Sequence, residues 1–257
     1  MVNRDFMKKQ SIHIGTSGWS YPHWKENFYP EEIKMKDWLN YYSSNFSTVE
    51  INSTFYRIPS ISTVEKWTAQ VPNNFLFSIK ASQYITHRKR LHECEESLAY
   101  FYQTIRHFKE KMGPILFQLP PSFKMNKERL VDFISLLEKD LPCVFEFRNE
   151  TWYNDDIYEL LTKNKIALCI TDLNGRLSPE EITAPFTYIR LHGPKEAYQG
   201  SYGSSQLKAW KKKIDKWTEK TVVYCYFDND EKGYAIEDAK NLQNDFQKSS
   251  KIVTARY

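Results

Sequence analysis

The sequence has no C-x-x-C pair: its four cysteines, Cys94, Cys143, Cys169 and Cys225, lie far apart, and three of them fall inside apolar runs. Such spacing fits buried free thiols in a reducing cytoplasm rather than a disulfide framework. No segment approaches the roughly 20 consecutive apolar residues of a membrane span. The N-terminal MVNRDFMKKQS lacks the apolar stretch of a signal peptide. A cytoplasmic protein with no membrane partner is therefore expected. No G-x-G-x-x-G follows a strand-like run, which counts against dinucleotide binding. Neither H-E-x-x-H nor a histidine pair at ligand spacing occurs, so no metal site is assigned and the cofactor stays open. There is no low-complexity linker, no internal repeat and no basic stripe, since 36 basic and 32 acidic residues leave a formal charge of +4. That mild excess permits an anionic ligand without demanding one.

What is present is apolar and regularly spaced. Hydrophobic residues make up 41% and aromatics 16%, enough for a sizeable core. Eight short runs rich in β-branched and aromatic residues lie at 12–14, 46–51, 75–79, 115–119, 143–147, 166–170, 186–191 and 222–227. Between them apolar residues recur three or four apart, the helix period. The clearest sets are Leu98, Phe101, Ile105 and Phe108; Leu130, Phe133, Ile134 and Leu137; and Leu207, Trp210, Ile214 and Trp217. Ser62 and Glu65 read as a capping box. Ser178, Pro179 and Glu180 read as the N-cap and first turn of a weak, single-turn sixth helix. Strand–helix alternation repeated eight times predicts an α/β fold, a (β/α)8 TIM-type barrel forming one domain over residues 1–257.

Parallel barrel strands are buried on both faces and by themselves ask for valine, isoleucine and leucine. Here their C-terminal ends are polar: Glu50 and Asn52, Ser78 and Lys80, Glu146 and Arg148, Arg190 and His192, then Asp228, Asn229 and Asp230. Side chains two apart share a face, so the pairs are expected to converge on the barrel mouth. Gln118, Asp172 and the opening Thr16-Ser17-Gly18-Trp19 supply the remaining strands. A solvated rim accounts for any one of these residues. As a set they imply more, because unpaired charge inside a barrel costs several kcal/mol.

Glu50, Glu146, Asp172 and Asp228 are the candidate acids and bases, and His192 a proton carrier. Two carboxylates across a pocket also suit glycoside hydrolysis. Lys80 reads either as a Schiff-base amine or as an ion-pair partner of Glu50 or Glu146, and the ion pair is the expectation because both acids are at hand. Arg57, Lys80, Arg148 and Arg190, with Arg88, Lys89 and Arg90 nearby, match phosphate or carboxylate oxygens. The segment HGPKEAYQGSYGSS brings Gly193, Gly200 and Gly203 ahead of a helix start at Ser204, where barrels often hold phosphate. Aromatics after the strands, including Trp19, Tyr56 and Tyr202, offer stacking faces.

GTSGWSYPHW followed by FYP, VEINSTFYRIP, FSIKASQYITHRKRL, ILFQLPPSF, FEFRNETW, YIRLHGP and YCYFDND, in this order, resemble family 72 of the domains of unknown function, the YecE-like family. The resemblance runs from about residue 12 to about residue 242. It implies a TIM-type barrel and no established activity. The family's recurrent polar positions fall on Ser17, Trp19, Glu50, Asn52, Arg57, Lys80, His87, Gln118, Glu146, Arg148, Arg190 and His192. Two departures stand out: Asn149, where relatives often carry histidine, and Asp228, where they often carry asparagine.

The leading expectation is an enzyme acting on an anionic, phosphate-bearing substrate such as a nucleotide, nucleic acid or sugar phosphate. Glu50, Glu146, Asp172 and His192 would be catalytic. Ser17, Trp19, Asn52, Tyr56, Arg57, Lys80, His87, Gln118, Arg148, Arg190, Tyr202, Asp228 and Asn229 would bind substrate. The alternatives are a carbohydrate hydrolase or isomerase and a non-catalytic nucleic-acid-binding scaffold.

Overall fold

The computed structural model describes residues 11–254. The β-branched runs become β1 (Ile12–Thr16), β2 (Thr48–Ile51), β3 (Leu76–Lys80), β4 (Met112–Gln118), β5 (Cys143–Glu146) and β6 (Ala167–Leu173). A two-residue ribbon, β7 (Arg176–Leu177), follows, and then β8 (Phe186–Leu191) and β9 (Val222–Phe227). The ribbon folds back antiparallel on β6, and the other eight strands run parallel in the order β1-β9-β8-β6-β5-β4-β3-β2. A parallel bridge between Ser17 and Glu50 joins β1 to β2, so the sheet is a nearly closed barrel. This is the predicted TIM-type architecture.

The β1–β2 seam depends on two residues. A Cβ on Gly15 would lie 2.3 Å from the Thr48 carbonyl oxygen, so only glycine lets the two backbones approach that closely. The Tyr42 hydroxyl, on α1 (Trp38–Ser43), fills the gap, accepting from the Thr16 amide at 3.0 Å and donating to the Thr48 carbonyl at 3.2 Å.

Helices pack where the periodicity put them. After the short α2 (Ser53–Tyr56) come α3 (Ile61–Ala69), α4 (Glu95–Ile105), α5 (Lys127–Ser135), α6 (Asp155–Lys163), α7 (Ser204–Trp217) and α8 (Tyr234–Thr254). Leu98, Phe101 and Ile105 of α4, Leu130 and Phe133 of α5, and the Leu207, Trp210, Ile214, Trp217 stripe of α7 are all buried.

Two start signals act differently from the expectation. Helix α3 is capped by Ser60, whose Oγ accepts from the Thr63 amide at 3.2 Å, so the expected Ser62–Glu65 box lies inside the first turn. No sixth helix forms at 178–185. The Ser178 hydroxyl instead accepts from the Thr171 amide at 2.8 Å, and Thr183 Oγ1 accepts from Leu168 N and donates to Ile166 O. Ser178, read as a helix cap, thus satisfies a β6 amide beyond the last β5–β6 pair at Leu168, while Thr183 ties the segment to the start of the strand.

Inside the barrel, alternate residues stack in layers. Leu116, Val144, Ala167, Cys169, Tyr188 and Tyr226 form an inner cluster distinct from the larger core outside the strands. The Tyr226 hydroxyl lies 2.7 Å from both Thr48 Oγ1 and Ser78 Oγ. The charged layer sits directly above. All four cysteines are free and buried. Among the described residues, no helix is long and apolar enough to cross a membrane.

Candidate active site at the barrel mouth

Arg190 sits at the centre of the charged layer with 1% of its surface exposed. Its guanidinium meets three carboxylates. Nε donates to both Glu50 oxygens at 3.1 and 3.0 Å and Nη2 to Glu50 Oε1 at 2.8 Å. Nη1 reaches Glu146 Oε2 at 2.7 Å, and Nη2 also reaches Asp228 Oδ2 at 2.9 Å. The planar, five-donor fork holds three acids at once in fixed directions.

Glu50 is filled further by the Ser17 hydroxyl at 2.6 Å and the Tyr188 phenol at 2.7 Å. Glu146 also accepts from Arg148 Nε. Burial alone would raise the Glu146 carboxyl; the Arg148 and Arg190 guanidiniums outweigh it and hold the group well below its ordinary range. Asp228 is held low in the same way, against burial, by Arg190 and then His192.

His192 is fully buried, its Nδ1 3.0 Å from Asp228 Oδ2 and its Nε2 3.3 Å from both Arg190 Nη1 and Arg148 Nη2. Two guanidinium donors face Nε2, which accepts, while Nδ1 lies near Asp228 without a well-aligned hydrogen bond. Tyr198 stands edge-on against the ring, with centroids 5.4 Å apart.

Lys80 ends β3 on the same interior face, yet among the described residues it forms no ion pair and its Nζ no hydrogen bond. The Nζ lies over the Phe55 ring, 4.3 Å from the centroid. The expected ion pair with Glu50 or Glu146 is therefore absent, because Arg190 and Arg148 already occupy those acids. Burial, reinforced by Arg190 and opposed by the three carboxylates, pulls the amine down to about 8.

His87 packs edge-on against the Phe55 ring, centroids 4.9 Å apart, with Nδ1 2.9 Å from Thr86 Oγ1. It lies on a π-helical turn, Tyr84–Arg88, a local form that recurs at functional sites. Burial first, then the charges of Lys80 and Arg148, lower its basicity. Asn52, two residues on from Glu50, has a buried Oδ1 with no partner.

The model of the family described as "Protein of unknown function DUF72" matches residues 13–256. The chain belongs to that family. The UPF0759 protein YunF of Bacillus subtilis is 27% identical over 90% of this chain and 93% of its own length. The UPF0759 protein YecE of Escherichia coli K12 is 22% identical over 93% of each. A DUF72 family crystal structure from Thermotoga maritima superposes with TM-score 0.83 at 26% identity, covering 93% of this chain and 100% of that one. One from Enterococcus faecalis gives 0.76 at 22% identity, covering 93% and 98%, and speaks for the fold alone.

Three predicted site residues of this DUF72 barrel lie away from the mouth. Asp172 has the opposite parity to the inward Thr171; it lies against the Tyr202 hydroxyl, and burial raises its carboxyl. Tyr202 is 2% exposed and its hydroxyl accepts from the Gly193 amide at 3.1 Å. Asn229 donates to Gly200 O at 2.8 Å and Asp238 Oδ2 at 2.7 Å. All three therefore brace the loop at 193–203 from outside. That loop's Gly193 and Gly203 amides are taken by Tyr202 and Gln206, which weakens the expected phosphate cradle.

The remaining predicted residues frame the rim. Trp19 packs edge-on against Trp67 at 5.2 Å, Tyr56 is 73% exposed, and Gln118 turns its amide onto Leu119 O at 2.9 Å. Arg57 lines a cavity of about 900 Å³ with Ser53, Trp67, Tyr84 and Tyr100. Arg148 faces a second, of about 1100 Å³, with Tyr153, Thr171 and Arg176. Asn149 caps the turn at Glu150–Trp152 and donates to Pro121 O at 2.7 Å.

Two features escaped the sequence. Tyr188, the phenol on Glu50, lies one i−2 step below Arg190, and the same parity rule carried inward would have found it. The rim pair His23–Asp230, 2.9 Å apart with Trp24 Nε1 on the other Asp230 oxygen at 2.7 Å, gave no spacing signal because its partners are some 200 residues apart. Asp228 and Asp230 thereby part company. Among the described residues, no three His, Cys, Asp or Glu side chains are arranged to hold a metal ion.

Proposed function

We propose that this DUF72 barrel is an enzyme that takes a small anionic substrate, a phosphate-bearing one foremost, at the mouth and moves a proton there with Lys80 and His87. The observation that carries the reading is the contrast in partners. Glu50, Glu146, Asp228 and Arg190 saturate one another, whereas among the described residues Lys80 forms no ion pair and meets those carboxylates only at longer range. In this reading Glu50, Glu146 and Asp228 position Arg190 and His192 rather than exchange protons with substrate. Arg148, half in the network and half toward a cavity, pairs with the substrate anion. The three carboxylates balance the two guanidiniums and the Lys80 ammonium, so local contacts rather than a broad positive field select the anion.

Glycoside hydrolysis receives less support, because it needs one free acid and one free nucleophilic or basic carboxylate, and the two best placed are bound to Arg190. A nucleic-acid scaffold would rest on Arg88, Lys89 and Arg90 with the lysines at 211–213, of which Arg90 is turned to the Ser122 hydroxyl, Lys89 to the Glu93 carbonyl, Lys211 to Asp215 and Lys213 to Glu180.

The test is titration with inorganic phosphate, followed on the His87 ring signals by NMR, together with incubation of the protein with a panel of small phosphorylated and carboxylated compounds. A saturable shift lost in Arg148→Met, and turnover of a panel member lost in Lys80→Met, are expected. No saturable response and no turnover would overturn the reading.

A further inference from the structure

We infer that Lys80 is a carbonyl-trapping amine, and that the substrate is a small aldehyde or 2-oxo compound carrying a carboxylate or phosphate. The inference rests on the mouth being the reactive site and adds the bond that forms there. Three features meet at Nζ. It lies on the barrel interior at the end of β3, it rests on the face of Phe55 at 4.3 Å, and it has no carboxylate partner although three stand in the adjoining layer.

A structural lysine beside three carboxylates would be expected to pair with one of them, whereas the half-buried Lys80 lies on the Phe55 face instead. A reactive one must instead be able to shed its proton, which desolvation promotes. The neighbouring charges then favour the product. Glu50, Glu146 and Asp228 exceed Arg148 and Arg190 by one negative charge, so the layer favours the protonated, cationic form of a Schiff base at Nζ. An iminium supplies that charge, and its planar, weakly hydrated C=N suits an aromatic floor better than an ammonium does.

The step balances as a condensation. The Lys80 ammonium gives a proton to His87, which packs against the same Phe55 ring. The freed lone pair attacks the carbonyl carbon, a C–N bond forms, and the C=O π pair moves to oxygen. A proton passes from nitrogen to that oxygen, and His87 returns its proton as the hydroxyl leaves as water. Ammonium and carbonyl compound thus become iminium and one water. Arg148, on the substrate side of Glu146, is placed to hold the anionic group.

Reductive trapping tests this. The full-length protein is incubated at pH 7.5 with glyoxylate, glycolaldehyde phosphate or the uncharged propanal, reduced with borohydride, and mapped by peptide mass spectrometry. Lys80 should carry adduct at about tenfold or more the level of any surface lysine, because far more of it is unprotonated. The anionic probes should outpace propanal, and Arg148→Met should remove that advantage. Lys80→Arg, which keeps the charge, should lose the dominant adduct while unfolding like the parent. Adduct spread evenly over the lysines overturns the inference, and if phosphate still perturbs His87 the proton-transfer reading survives it. Equal labelling by propanal and glyoxylate overturns the anionic substrate class.

Discussion

Arg190 and Lys80 are both cations on the interior face of the barrel near its mouth, and the fold treats them in opposite ways. Arg190 is surrounded by three carboxylates within 3.1 Å, and its neighbours are filled in turn by Ser17, Tyr188 and Arg148. Among the described residues Lys80 Nζ rests on an aromatic face and forms no ion pair. A guanidinium spreads its donors in a fixed plane and keeps its charge under desolvation, whereas an ammonium is a compact, strongly hydrated charge that desolvation neutralises. The difference separates a scaffold from a reagent. Damage on the Arg190 side should register as lost stability, and damage on the Lys80 side as lost chemistry.

The largest expected effect is Arg190→Met. It leaves Glu50, Glu146 and Asp228 buried without their shared partner and should cost on the order of 3–5 kcal/mol in urea unfolding at neutral pH. Acid should narrow the gap. Glu146 and Asp228 have folded-state pKa values below their unfolded ones, so their contribution is complete above the unfolded carboxylate range and is lost as pH falls through the folded values. The variant has little of that contribution to lose. A cost below about 1 kcal/mol, in the range of an exposed pair, would erase the contrast between the two cations.

Lys80→Met should act in the opposite direction. The amine is lowered to about 8 in the fold, chiefly by burial, so between that value and its unfolded one near 10.4 the unfolded chain binds more protons and wild-type stability rises with pH relative to the variant. At neutral pH the variant should equal or exceed wild type, by up to about 3 kcal/mol, and the two should converge as pH passes the unfolded value. Paired urea titrations across that window measure the difference while the buried tyrosines titrate alike in both. A variant markedly less stable than wild type at pH 7 would make Lys80 a structural cation after all.

Tyr188→Phe probes the scaffold at intermediate size. Glu50 loses one charge-assisted hydrogen bond and keeps those from Ser17 and Arg190, which should cost about 1.5–3 kcal/mol. Carbonyl trapping at Lys80 should not change. A trapping defect at full foldedness would show that the two sides are coupled.

The barrel and the placing of these charged residues on its interior were legible in the sequence because they follow from period. Strands declared themselves by β-branched runs, and the i, i+2 rule placed Glu50, Lys80, Glu146, Arg148, Arg190, His192 and Asp228 on one face. Pairing was not legible. Nothing in the order of residues says that Arg190 rather than Lys80 takes Glu50 and Glu146, since that depends on the stagger of β2, β5 and β8 around the ring. Parity also fails at Asp172, because its polar neighbours Thr171 and Asn174 fall in opposite phases and neither sets which one faces inward. The cap signals at Ser62 and Ser178 misled because a serine hydroxyl serves a neighbouring serine cap or an orphaned strand amide as readily as a helix end.

Asp172→Asn is the smallest effect and the sharpest check on where the mouth ends. Its carboxyl faces the Tyr202 hydroxyl on the helix side of β6, and burial already holds it above its ordinary range. An amide oxygen can still accept from that phenol, so urea unfolding should move by less than about 1 kcal/mol. The phosphate response of His87 and the labelling of Lys80 should match wild type. Were either lost, a fourth carboxylate would have to act across β6 on the interior, and the contrast between one neutralised cluster and one unpaired amine would no longer describe the site.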